Sequence, residues 1–416
     1  MPTYDCIIIG GGAAGLTATV FLGRALPAPS RVLLLEKLPR VGKKLLATGN
    51  GTCNISNVHA APARYHGDTA LAGAVLERFS PADTVDFFDS LGLACVRRTD
   101  GKYYPRAEQA SAVLDCLRLE LQTRGVEERC GTAVTAISRT ANGITVKTAD
   151  GVLHAKTVLV CTGGAAAPNL GGNTDGYALL TALGHTRTPL FPSIVQIRTD
   201  TAFVRAMQGI RVDGSVTIET PAASRCESGE ILFTAYGLSG PAVMQASRLA
   251  ADWERQKKGQ CTATLDLFPD TDEKALFSIL WKRRELPART LEDFFTGLLN
   301  KRIGQTVIRA AGLPLSAPAA TLDRAAVLTL THTLKHWCFP VTGTQGFGGA
   351  QVTAGGIDTA DFDSATLQSR RAPGVFAAGE ILNVDGDCGG YNLQFAFSSA
   401  FVAANGILAY LGEEST

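Results

Sequence analysis

Gly10, Gly12 and Gly15 are spaced as G-x-G-x-x-G, and an acid, Glu36, stands at the end of the next apolar run. The glycine spacing alone is a weak signal, served equally by a tight strand-to-helix turn with no ligand. Here its surroundings are complete. An apolar run ends at Gly10, a helical pattern starts at Ala13, and a second apolar run delivers Glu36. In that setting the glycines let the chain turn sharply and let a pyrophosphate approach the backbone. The helix that follows offers unpaired N–H groups and a partial positive charge to the phosphates. Glu36 can accept from a ribose 2′-OH, and its charge repels a 2′-phosphate.

That pattern does not separate FAD from NAD; a C-terminal block does. Val375-Phe376-Ala377-Ala378-Gly379-Glu380 is a buried strand delivering a carboxylate to the sheet edge where α/β folds place ligands. Such an acid can bond the ribityl hydroxyls of a flavin. Gly389-Gly390-Tyr391-Asn392 then leads into a long apolar helix. Its N-terminal N–H groups would face the flavin pyrimidine edge and stabilise the anionic reduced ring. The plainer reading is a glycine-rich loop entering a core helix, but the two motifs together favour a flavin.

A third stretch, residues 42–57 (GKKLLATGNGTCNISN), follows the ribose-binding strand. A loop there can cover the phosphates or the ring, with Cys53 and Asn54 near the isoalloxazine. Cys53 reads more simply as a small buried residue than as a redox thiol. No catalytic acid or base stands out. Tyr391, beside the proposed flavin loop, is a weak candidate proton donor, and Cys53 a weak redox candidate. His185 follows a glycine at an expected helix end, where capping is the simpler role.

These residues need elements to hold them. Residues 4–9, a helix from Ala13 to Leu26 and residues 31–36 make a βαβ unit. Ser80-Pro81 starts a helix reaching Leu91, and Ala107–Arg124 is another. Residues 131–148 read as a hairpin about Asn142-Gly143, and 157–161 as a buried strand. After Pro189 the texture changes. Residues 190–268 read as short alternating strands, and 269–338 as charged, periodic helices. The expected organisation is a discontinuous nucleotide-binding domain over 1–189 and 339–416, a β-rich insertion over 190–268 and a helical subdomain over 269–338.

Bulk properties narrow the partners. Among 416 residues, 45% are hydrophobic and 19% charged, with net charge +1 and no basic run, so no nucleic-acid surface is expected. The ten cysteines are scattered with no C-x-x-C pair, so no metal site is assigned. The opening Met1-Pro2-Thr3-Tyr4-Asp5 lacks a secretory pattern, and a reducing, cytoplasmic location is expected. Cys388–Gly412 carries no charged residue and is long enough to span a bilayer, yet its Asn392, Gln394, Ser398, Ser399 and Asn405 favour a buried helix over a membrane one.

GGGAAGLTA, GKKLLATGNGTCNISN, FTAYGLSGPAVMQAS (233–247), QVTAGGI (351–357) and AAGEILNVDGDCGGYNLQFAFSSAF (377–401) resemble one bacterial flavoprotein family along the whole chain. It includes aminoacetone oxidase and a bile-acid 3-dehydro-Δ4,6-reductase. The resemblance implies an α/β, Rossmann-like (glutathione-reductase-type) FAD-binding domain interrupted by a β-barrel-like unit and a small helical unit. It implies FAD contacts at Gly10, Gly12, Ala13, Ala14, Gly15, Glu36, Lys37, Lys44, Gly49 and Asn54. It also implies them at Val134 near the adenine, at Thr162 and Gly163, at Gly379 and Glu380, and at Asn392 and Leu393. Many relatives carry Arg where this chain has Thr52, and His where it has Ala235.

The expected chemistry is hydride transfer between flavin N5 and a small organic substrate. The chain carries one complete G-x-G-x-x-G, so NADH or NADPH must visit the flavin without its own Rossmann unit, or electrons come from substrate and pass to oxygen. The first expectation is an NAD(P)H-driven reductase of an activated double bond. The alternatives are an amine oxidase of the aminoacetone type and, further off, an RNA-modifying flavoprotein.

Overall fold

The computed structural model describes residues 3–140, 143–286 and 289–413. The chain divides into two units, residues 1–190 with 351–416, and residues 191–350.

In the first unit a seven-stranded sheet carries the nucleotide-type motifs. Strand Thr3–Ile9 runs parallel between Val32–Leu35 and Gly151–Val160. Its CysIleIleIle segment is wholly or almost wholly buried, as a central parallel strand requires. Strand Gly151–Val160 changes partner along its length. Residues 151–155 pair antiparallel with Gly143–Thr148, and residues 158–160 pair parallel with Val375–Ala377. Asn142 of the expected turn lies outside the described residues; the flanking strands Val134–Thr140 and Gly143–Thr148 are paired.

The helix Ala13–Ala25 packs along the C-terminal helix Tyr391–Glu413, with the Phe21 and Phe401 rings 5.1 Å apart. The C-terminal helix is the one described helix long and apolar enough to cross a membrane. Its polar side chains are used internally. Ser398 Oγ donates to Phe79 O at 2.6 Å, and Ser399 Oγ accepts from Gly379 N at 2.9 Å. Gln394, Ser398 and Ser399 are fully buried, which makes it a core helix of this unit. The helix Pro81–Ser90 starts on a capping box between Ser80 and Asp83.

The second unit is built on a closed six-stranded barrel. Its strands are Ile197–Thr199, Arg211–Glu219, Ser224–Phe233, Gly237–Ser239, Thr262–Asp266 and Trp337–Thr344, all paired antiparallel. Helices Glu273–Arg283, Lys301–Ala310 and Arg324–Lys335 sit in sequence between its last two strands. Barrel and helices share one hydrophobic core, so the two insertions read from the sequence form a single body. Two expectations shift. Residues 190–268 are not all strand, because Pro241–Gln256 is a helix packed on the barrel. The return to the first unit falls at 351 rather than 339, because Trp337–Thr344 closes the barrel against Ile197–Thr199.

Candidate functional site

The first glycine turn is crowded at Gly10, Gly11 and Gly15 and open at Gly12. A Cβ on Gly15 would lie 1.9 Å from Gly10 O, and one on Gly10, at φ +107°, 2.5 Å from Cys161 O. A Cβ on Gly12 would meet no atom within 4 Å. Gly12 is also the N-cap of the helix from Ala13, and no side chain caps that helix. Its first-turn N–H groups are thus taken by no side-chain cap, a cradle suited to phosphate.

Glu36 organises this turn. Its Oε2 accepts from Gly11 N and its Oε1 from Leu38 N, both at 2.8 Å. Each oxygen keeps a further lone pair for a hydroxyl donor. Backbone bonds bring in the segment before Val134, since Thr132 N donates to Glu36 O and Gly131 N to Leu38 O. Lys37 is exposed and pairs with Asp175 at 3.1 Å. Glu36, Lys37 and the approach to Val134 thus share one end of the site.

The stretch 42–57 docks on the other side, with Gly42 N donating to Gly11 O at 2.8 Å. Lys44 Nζ then reaches Glu380 Oε2 at 2.7 Å, across 336 residues of sequence. Glu380 Oε1 accepts from Thr353 N at 2.8 Å, and Thr353 Oγ1 accepts from Ala166 N at 2.9 Å. The Thr162-Gly163 turn, the 42–57 stretch and the C-terminal carboxylate are thereby joined. A Cβ on Gly379 would stand 3.0 Å from Ala14 Cβ, so that glycine permits the strand end to close on the first helix. Thr353 belongs to this network, and sequence reasoning missed it; its only signal was the QVTAGGI block.

Residues 49–53 form a compound turn with left-handed φ at Gly49, Asn50, Gly51 and Cys53. Non-glycine residues pay strain for that conformation, and such strain gathers at ligand-binding turns. Beyond it, Asn54 Oδ1 is buried with no hydrogen-bond partner, 2.7 Å from where a Gly390 Cβ would stand. Thr162 Oγ1 is another buried, unpartnered atom. Asn392 differs. Its side chain is engaged with Gly386, accepting from Gly386 N and donating to Gly386 O, both at 2.8 Å, so its backbone is the part left for a ligand. Leu393 packs against the core.

Neither catalytic candidate is a free nucleophile. Cys53 is fully buried, and burial pushes its thiol from 9.0 up to about 12. Tyr391 is buried, with Tyr65 Oη donating to its carbonyl at 2.9 Å and the Arg64 guanidinium 5.9 Å from its ring. Burial raises the Tyr391 phenol, which keeps it protonated at neutral pH. His185 Nδ1 stands 2.8 Å from Leu180 O in the last turn of helix Asp175–Thr181, a capping position.

The residues fit a dinucleotide that carries a flavin. An open glycine cradle at an uncapped helix start, a ribose-type acid, a lysine–glutamate pair and an orphaned amide oxygen lie in one connected network.

Comparison with known proteins agrees. The model of a family described as "HI0933-like protein Rossmann domain" matches residues 4–406. The chain is 35% identical over 402 residues to the 3-dehydro-bile acid delta(4,6)-reductase of Clostridium scindens, covering 95% of this chain and 97% of that one. It is 29% identical over 413 residues to the ribosomal RNA dihydrouridine synthase of Escherichia coli, covering 98% and 99%. Among solved structures, the 3-ketosteroid delta1-dehydrogenase of Sterolibacterium denitrificans shares the fold, with TM-score 0.51 at 14% identity and coverage of 98% and 100%.

Proposed function

The chain belongs to the HI0933-like family of FAD-dependent oxidoreductases, and from that premise we propose that it is an NAD(P)H-driven reductase of a carbon–carbon double bond conjugated to a carbonyl. The observation that carries this reading is the near-full-length, 35% identity to an enzyme named for reducing such a bond next to a 3-oxo group. A cytoplasmic location and a small-molecule substrate go with it.

FAD, when bound, supplies the two-electron carrier between nucleotide and substrate. The chain's part is binding and orientation. Gly10, Gly12 and the first-turn N–H groups of Ala13, Ala14 and Gly15 would hold the pyrophosphate. Glu36, Lys37 and Val134 would border the adenosine end, with Thr162 and Gly163 beside the Glu380 network. Lys44, Gly49, Asn54, Gly379, Glu380, Asn392 and Leu393 would border the ribityl chain and ring. Tyr391, protonated through the working pH range, supplies the proton that saturation of the double bond requires. Tyr391→Phe is then expected to lower kcat about tenfold or more while leaving flavin binding intact.

The test begins with anaerobic addition of NADH or NADPH to the holoprotein. Bleaching of the flavin bands, followed by turnover of a steroid-like enone, supports the reading. Flavin that neither nucleotide reduces, with peroxide formed from amino ketones in air, replaces it with the amine oxidase.

A second reading rests on the Escherichia coli relative. The pyrimidine double bond lost in forming dihydrouridine is also conjugated to a carbonyl, so one flavin site serves either substrate. Net charge of +1 favours the small molecule, since RNA binding rests on a basic surface. Reduced enzyme that ignores free enones but forms dihydrouridine in ribosomal RNA would reverse that choice.

A further inference from the structure

We propose that Glu273, His332 and His336 of the second unit form a binding site for a divalent transition-metal cation such as Ni2+ or Zn2+. Each offers one ligand atom, and these atoms all lie within 4.8 Å of one another. His336 Nε2 and Glu273 Oε1 are already 2.6 Å apart, and the His332 and His336 ring centroids are 4.9 Å apart.

The backbone explains the grouping. His332 and His336 are four residues apart, and His336 N still donates to His332 O at 2.8 Å, so both rings leave one face of the helix Arg324–Lys335. Two imidazoles at that spacing are a recurrent chelating pair. Glu273 comes from the first turn of the neighbouring helix Glu273–Arg283, where Asp272 already caps the N-terminus, so Glu273 is free to face its neighbour. The histidines also occupy the last turn and C-cap of their helix, the end whose carbonyl dipoles favour a cation.

Nearby charge is arranged to permit this. Lys335 lies between the histidines in sequence, but its ammonium turns away to Asp266 at 2.6 Å and to Phe268 O and Thr271 O at 2.8 Å. A cavity of about 480 Å3 beside Glu273 and His332, also lined by Lys274 and Arg324, leaves room for water ligands. Imidazole nitrogen at ~2.0–2.1 Å and carboxylate oxygen at ~2.0–2.2 Å suit zinc and nickel, and small side-chain rotations bring three exposed donors to that range. Two cations on the cavity wall hold the affinity to a moderate level. A bound ion would clamp the two helices together, independently of any flavin chemistry.

The probe is Ni2+ alone, titrated calorimetrically into tag-free, full-length holoprotein in a non-chelating buffer. The expected result is one saturable site of micromolar strength. His332→Ala and His336→Ala should each weaken it about tenfold or more, and Glu273→Gln by a smaller factor. Saturating Ni2+ should raise the unfolding temperature of the second unit by roughly 2–4 °C in the native chain and not in the double histidine variant. All three side chains are exposed, so the variants should fold, which circular dichroism checks. No binding by the native chain at 100-fold molar excess, or equal binding by the double histidine variant, would overturn the proposal.

Discussion

Two turns in the first unit run from glycine into helix, and they are built on opposite plans. At the N-terminal turn the crowding falls on Gly10, Gly11 and Gly15, while Gly12 faces nothing. At the C-terminal turn the crowding falls on the glycine next to the helix. A Cβ on Gly390 would lie 2.7 Å from both Asn54 Oδ1 and Ser56 O, at φ +95°. The first turn keeps room for a ligand on its outer side and spends its glycines on holding itself together. The second is pressed against the 42–57 stretch and offers mainly backbone. A cofactor-binding surface and a packed scaffold can therefore share one sequence signature.

The largest expected effects separate glycines within the first turn. Gly15→Ala places a Cβ 1.9 Å from a backbone oxygen, which nothing nearby can relieve. It should destabilise the first unit by about 3 kcal/mol or more, read as a fall in the apoprotein melting temperature. Gly12→Ala should leave that melt unchanged, because the new methyl meets no protein atom. FAD affinity should nonetheless fall about 10- to 100-fold, or ~1.4–2.8 kcal/mol, in a fluorescence-quenching titration. Equal loss of apoprotein stability in both variants would remove the distinction between scaffold and cradle.

Gly390→Ala comes next. The strained φ and the contact with Asn54 should cost about 1–3 kcal/mol, partly relieved by movement of the Asn54 side chain. The melt should drop, and FAD affinity should drop with it, since the same movement disturbs residues 49–54. A variant with native stability and weakened FAD would show that the second turn is a cradle like the first.

The parts of this comparison that sequence could reveal were local ones. The glycine turn, the following helix and Glu36 lie within one βαβ unit, so pattern and spacing carried them. Ser80-Pro81 marked a helix start in the same local way, and the structure adds the capping box with Asp83. What was hidden depends on distant partners. Lys44 meets Glu380 across 336 residues, and no periodicity marks that. The strand Trp337–Thr344 alternates buried and exposed residues over its first six positions, but Pro340 and Gly343 interrupt a strand pattern, and the expected boundary at 338–339 fell inside it. The helix Pro241–Gln256 opens on a Ser-Gly-Pro sequence that served equally well as a turn. The His332–His336 spacing was visible, yet without Glu273, 59 residues earlier, it had no partner to give it meaning.

A smaller effect is expected at the bridge between the two turns. Lys44 and Glu380 keep 30% and 20% of their side-chain surface exposed, so solvent screens the pair. Lys44→Ala should cost about 1 kcal/mol of stability or less. Glu380 would remain fixed by Thr353 N. If Lys44 and Glu380 both contact FAD, Lys44→Ala should weaken FAD several-fold, and Glu380→Gln should also shift the flavin reduction potential. No change in either quantity would confine the bridge to scaffold.

The smallest effect belongs to Cys53, which sits in the strained turn between the two glycine turns. Burial raises its thiol from 9.0 to about 12, and does the same for Cys6 in the central strand. A thiol so placed is protonated at neutral pH and cannot act as a nucleophile. A thiol-specific reagent should label the exposed Cys226 and Cys338 in the native protein and spare Cys53. Cys53→Ala should keep turnover within about threefold. The same shift has a sign in stability. A thiol whose folded value is raised holds its proton more tightly in the native chain than in the unfolded one. The stability it contributes is therefore complete below pH 9 and is lost as pH rises toward about 12. Urea midpoints should stay level from neutral pH to about 8.5 and decline above it. A decline that sets in near pH 7, together with rapid labelling of Cys53, would mean that the turn opens readily, and the weak redox candidate would return as a serious one.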